Sequence, residues 1–161
     1  MKKRVFSRNV FHTALAVVGV ASLLTFGSCD KDDDDDMPNS KYKLSGDASG
    51  AQEVPAVNTP ATGTLSGSYD TTSKSLIYTV TWTGISGDAT VAHFHGPAAP
   101  GENAPPMQDL NITMNGTAGT ATDTVTATAD LHAALLAGKV YYNVHTADYP
   151  DGEIRGQVVL K

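Results

Sequence analysis

The chain has 161 residues, 17% of them charged and 7% aromatic, with a formal net charge of −6. That length fits one domain plus a leader. The basic residues crowd at the N-terminus and the remainder is more acidic still, which excludes electrostatic attraction to nucleic acid. A single Cys excludes an intramolecular disulfide.

Residues 1–28 read as an export signal. Lys2, Lys3, Arg4 and Arg8 form a positive head, an apolar run follows over 10–26, and Gly27 and Ser28 are the small residues before a cut. The run is short for a membrane span, which needs roughly 20 apolar residues. Cys29 follows directly, so the segment resembles a bacterial lipoprotein signal. That resemblance implies a lipidated Cys29 at the mature N-terminus, with the membrane as a partner through the lipid. Residues 29–40 carry an Asp run that repels itself and reads as a solvated tether. An acidic stretch after the lipidated Cys also resembles the surface-export signal of lipoproteins in some Gram-negative bacteria. It implies an outer-membrane lipoprotein exposed on the cell surface, with a periplasm-facing anchor as the alternative. Calcium binding by the Asp run is a weaker reading, because a flexible run lacks fixed ligand geometry.

From residue 41 to 161 the pattern changes to short strands and turns. Pro55 and Pro60 keep the segment around them extended and unfit for a central strand. Residues 62–69 alternate as a strand, with 70–73 as a turn. The clearest strand is 75–83: Leu76, Tyr78, Val80 and Trp82 share one face, and Ile77, Thr79, Thr81 and Thr83 the other. Trp82 is the only Trp and a natural core anchor. Residues 89–95 form the next strand, with Ala92 and Phe94 opposite Val91, His93 and His95. A loop rich in Pro, Gly and Ala spans 98–107. Two more strands are expected at 109–114 and 120–126, around Asn115 and Gly116. The one helical window is 129–137, with Thr128 or Asp130 as cap and Gly138 as terminator.

The stretch 139–160 reads as a hairpin. Val140, Tyr142 and Val144 face one way, and Tyr141, Asn143 and His145 the other. In the second run Ile154, Gly156, Val158 and Leu160 oppose Glu153, Arg155 and Gln157. Pro150, Asp151 and Gly152 supply the turn chemistry. The polar face has two readings: an ordinary solvated face, or a partly buried network in which Asn143, Glu153 and Arg155 shape a site. Several short strands at regular spacing predict an all-β fold, an antiparallel Greek-key β-sandwich, with one short helix before the last hairpin.

Four pieces now line up: GAQEVP from Gly50, AHFHGPA from Ala92, LLAGKVY from Leu135, and NVHT from Asn143 followed by GEIRGQ from Gly152. Together they resemble the CHRD domain, which takes its name from chordin and is found in many bacterial secreted proteins. The resemblance covers essentially all of the chain after the tether. It implies an immunoglobulin-like β-sandwich with no established catalytic role, and it supplies no ligand.

His93 and His95 are two residues apart, so a strand places both imidazoles on one face. His145 on the neighbouring polar face is the natural third ligand of a metal site, copper before zinc. The His-x-His pair is similar to the copper-ligand pair of copper-zinc superoxide dismutases, Greek-key barrels, but a metal-bridging His loop, a zinc loop and a disulfide partner are missing. The alternative is that the three imidazoles hydrogen-bond loop backbone and hold a corner of the fold. Met107 is a soft ligand type that packs equally well in a loop. No Ser sits in a nucleophile elbow and no Gly-rich phosphate loop is present. The expectation is a non-enzymatic binding or structural module of the cell envelope, with a protein or glycan partner and an aromatic patch near Tyr141 and Tyr149. Copper or zinc binding is the alternative.

Overall fold

A computed structural model describes residues 40–161. The signal segment, Cys29 and all but the last residue of the tether lie outside the described residues. The described chain is all-β. Its strands are β1 (Lys41–Ser49), β2 (Thr62–Asp70), β3 (Ser75–Thr83), β4 (Ala89–His95), β5 (Pro106–Asp109), β6 (Ile112–Met114), β7 (Ala118–Thr126), β8 (Tyr141–Thr146), β9 (Ile154–Gln157) and β10 (Val159–Leu160). The helix α1 (Ala129–Leu136) precedes β8.

Every strand pair is antiparallel, in the order β5-β4-β8-β9-β1-β2-β3-β7-β6, with β10 also on β1. The sheet curls into a half-barrel whose two halves face each other as in a sandwich. Tyr78 of β3 meets Phe94 of β4 edge to face at 5.4 Å, although the two strands lie far apart along the sheet. The core between the halves takes Leu65, Tyr69, Leu76, Val80 and Trp82 from one side and Ala92, Phe94, Tyr142, Val144 and Ile154 from the other. Burying one large apolar side chain contributes about 1.5–3 kcal/mol. Tyr142 stays in this core because its hydroxyl donates to the Gly46 carbonyl at 3.0 Å.

Trp82 is 3% exposed, and its ring nitrogen donates to the Gly116 carbonyl at 3.1 Å. The helix begins where Thr128 Oγ1 accepts from Leu131 N at 3.2 Å and ends at Gly138, whose φ is 65°. Leu131 and Leu135 turn its apolar stripe into the core.

Two expected strands divide. The run 109–114 becomes β5 and β6 at opposite ends of the sheet path, because Leu110 and Asn111 carry the chain from one half to the other. Leu110 N donates to Ala92 O at 2.8 Å, and Asn111 N to the Tyr78 hydroxyl at 2.9 Å. Pro106 and Met107, expected in a loop, belong to edge strand β5. The run 153–160 splits at Val158, which is buried and donates to Val140 O at 2.8 Å. The pieces on either side then pair differently: β9 lies between β8 and the end of β1 at Ser49, whereas β10 pairs with the middle of β1 at Leu44 and Ser45.

Candidate metal centre

Strand β8 is buried at all six positions, so the polar side of the last hairpin is not a solvated face. Loops cover it: 96–105 from one side, 147–153 from another, and the 3-10 turn Gly50–Gln52 with the segment after it from a third. Asn143, His145, Glu153 and Arg155 are each at most 7% exposed.

Register brings the imidazoles together. His93 and His95 of β4 lie opposite Asn143 and Tyr141 of β8, and Val91 lies opposite His145. The two strands thus place His93, His95 and His145 on one side of the sheet. Each offers a ring nitrogen, and these nitrogens all lie within 4.8 Å of one another. His93 Nδ1 and His145 Nε2 are 3.2 Å apart. Two nitrogens on one ion at 2.0–2.1 Å stand roughly 3.3 Å apart in a tetrahedral site. One pair is already at that spacing, and the His95 nitrogen lies within 4.8 Å of the other two.

The other ring nitrogens fix the tautomers. His95 Nδ1 donates to the Ala104 carbonyl at 2.9 Å, and His145 Nδ1 to the Pro150 carbonyl at 2.8 Å. A carbonyl only accepts, so both Nδ1 atoms carry hydrogen and both Nε2 atoms present a lone pair when the ring is neutral. His93 Nε2 faces Asp109 Oδ1 at 3.5 Å, which leaves its Nδ1 toward His145. An imidazole held by an oxygen acceptor on one nitrogen and open on the other is the arrangement that metal-ligating histidines show.

Burial lowers the pKa of His95 below its ordinary value, with the His93 and His145 charges adding to the effect and the Ala104 bond opposing it. Burial lowers His145 as well, against its bond to Pro150. Both rings are therefore neutral at pH 7, the form that binds a cation. His95 Nε2 is buried with no hydrogen-bond partner. His145 Nε2 lies 2.9 Å from Asn143 Oδ1, so one acceptor faces another. Both features fit a cation in the space between the rings.

Tyr141 forms the floor. His95 stacks on it at 4.8 Å and 5°, and the Arg155 guanidinium carbon lies 3.5 Å from the ring centroid, each arriving from a neighbouring strand. Arg155 also donates to Asn103 Oδ1 at 3.1 Å and to the Glu102 carbonyl at 2.6 Å, which ties the covering loop down. Tyr141 is 3% exposed, so it does not contribute to the aromatic patch expected with Tyr149.

Glu153 stands apart from Asn143 and Arg155. Its carboxylate accepts from Ser86 N (3.0 Å), Ser86 Oγ (2.8 Å), Thr146 Oγ1 (2.9 Å) and Thr59 Oγ1 (2.9 Å). Burial pushes its pKa up, but these bonds more than offset that and hold it below the usual carboxylate value. Glu153 is a structural hub that joins the chain before β2 and the β3–β4 turn to β8. His132 bonds the Tyr69 hydroxyl through Nδ1 at 2.5 Å and is not among the clustered histidines. His12 lies outside the described residues.

The residue that sequence reasoning missed is Glu53. It is 7% exposed, its Oε1 has no hydrogen-bond partner, and burial pushes its pKa up to about 7 despite the nearby Arg155 charge and the Val54 N–H. Its only signal in the sequence was membership of the GAQEVP piece.

A family model for the CHRD domain matches residues 44–158. No curated protein and no solved structure matches the chain.

Proposed function

The chain belongs to the CHRD-domain family, and from that premise we propose that it is a lipid-anchored module of the cell envelope that holds one transition-metal ion, copper before zinc, at His93, His95 and His145. The observation that carries the reading is the convergence of three imidazole nitrogens within 4.8 Å, one of them a buried lone pair with no partner. Imidazole suits both copper and zinc, and divalent copper stands at the top of the affinity order for such donors. The module acts as a holder rather than an enzyme, with Cys29 as the lipid anchor and the outer membrane, cell-surface side, as its place.

The test is calorimetric titration of the full-length chain in detergent with Cu2+ and with Zn2+, beside a His93→Ala, His95→Ala double variant. The reading expects one ion per wild-type chain and loss of that binding in the double variant. Equal binding by both chains contradicts it.

A second reading is favoured by a different feature. A groove of about 660 Å³ runs beside α1, lined by Gly96, Pro97, Pro106, Met107 and Ala134. It suits a protein or glycan partner, and an Ala133→Arg change at its wall separates the readings by blocking the groove while leaving the metal titration unchanged.

A further inference from the structure

The metal reading accounts for the meeting of two acceptors, His145 Nε2 and Asn143 Oδ1 at 2.9 Å, only while the Asn143 amide keeps its oxygen on that side. An Asn side chain is free to turn its amide over. With the ends exchanged, Nδ2–H donates to the His145 lone pair, and the empty site satisfies itself. Something must hold the amide with its oxygen toward the imidazoles.

Glu53 is the group on the other side. A Cβ built on Gly152 would collide with both Glu53 Oε1 and Asn143 Nδ2, the latter at 2.7 Å. The absence of a side chain at Gly152, whose φ is 122°, therefore leaves open a space that both the carboxyl oxygen and the amide nitrogen border. Glu53 Oε1 is the other partnerless buried oxygen or nitrogen found beside His95 Nε2 among the described side chains. Arg155 does not capture it, because the guanidinium is spent on Glu102 and Asn103. Arg155, Asp151 and Asp148 are the other charged groups around Glu53.

We propose that Glu53 is a positioning residue for the metal site: as a carboxylate it accepts from Asn143 Nδ2, keeps Asn143 Oδ1 facing His145, and so keeps the imidazole lone pairs open for a cation. A protonated Glu53 does the reverse. It donates to Asn143 Oδ1, turns Nδ2 onto His145 Nε2, and closes the site. Ion binding thus releases a proton from a residue that touches none of the three imidazoles. The burial that raises Glu53 toward neutrality places this exchange near pH 7.

This inference rests on the metal reading, and its test separates the two. Cu2+ and Zn2+ are titrated into the full-length wild-type chain between pH 6 and 8, in buffers of differing ionisation enthalpy that count released protons. The same titrations follow with Glu53→Gln, Asn143→Leu and the double variant. The proposal expects proton release by the wild-type chain around pH 7. It expects roughly 10-fold weaker binding by Glu53→Gln, the lower end of the cost typical for a group that orients a ligand, with the step near pH 7 gone. It also expects Glu53→Gln to have no further effect once Asn143 is Leu, since the coupling runs through that amide. Wild-type proton counts test the idea even if a variant fails to fold. Wild-type binding that Glu53→Gln leaves unchanged in strength and pH profile overturns this inference alone. An equal loss with Asn143 present or absent also overturns it, because a bare charge effect then suffices. No binding by the wild-type chain overturns the metal reading as well.

Discussion

The two halves of the sheet are written in nearly the same pattern and treated differently by the fold. In β3 the apolar alternate residues are buried and the outward ones are intermediate or exposed, with Ile77 at 48%. Its threonines bond across the strands, Thr81 to Thr64 at 2.9 Å and Thr79 to Thr122 at 3.1 Å, in the ordinary manner of a wet face. In β8 the alternation is equally regular, yet both faces are buried. The difference lies in what covers the strand. Alternation decides which residues share a side; only the loops decide whether that side meets water. A polar face that is covered must satisfy its groups internally, and the few it leaves unsatisfied mark the site.

The comparison is broken most severely at Arg155. Arg155→Ala removes a 2%-exposed side chain, its stack on Tyr141 and its hold on Glu102 and Asn103. A loss of about 3 kcal/mol is expected in urea unfolding. A loss below about 0.5 kcal/mol would place that face in water, like β3.

Glu53→Gln gives an opposite and pH-dependent effect in chelator. In the fold Glu53 keeps its proton up to about pH 7, against an ordinary value of 4.5. Between those values the folded chain binds more protons than the unfolded one, so stability falls as pH rises. Gln removes that burden. The variant is expected to be more stable by about 1–2 kcal/mol at pH 8, allowing for solvent screening. The two chains should converge by pH 4. A constant difference across that range would contradict the assignment.

Thr128→Ala tests the shared scaffold. Loss of the bond from Leu131 N is expected to lower stability by about 1 kcal/mol in either metal state. The smallest effect belongs to the open face: Thr83→Lys on β3 is expected to stay within about 0.5 kcal/mol of wild type in thermal melts.

Legibility in the sequence followed the same division. The alternation of Leu76, Tyr78, Val80 and Trp82 announced β3 and its core side, and Thr128 and Gly138 announced the helix ends. The i, i+2 spacing of His93 and His95 placed them on one side, and the NVHT piece supplied His145. Three things were not legible. The division of 109–114 depends on Leu110 and Asn111 bonding to opposite halves of the sheet, a long-range fact with no local pattern. Glu53 lies about 40 residues before His93 and His95 and about 90 before Asn143 and His145, in an irregular segment, and only the closing of the β8–β9 loop at Gly152 brings it beside Asn143. Glu153 read as a partner of Arg155 from strand alternation, whereas Ser86 and Thr59, both outside the hairpin, claim it.

The most direct test of the central claim is electron paramagnetic resonance of the full-length chain loaded with one equivalent of Cu2+, compared with His95→Ala. The account predicts nitrogen couplings from three imidazoles in the wild-type spectrum and from two in the variant. A wild-type spectrum identical to that of the variant would show that His95 holds no ion and would contradict the three-histidine site.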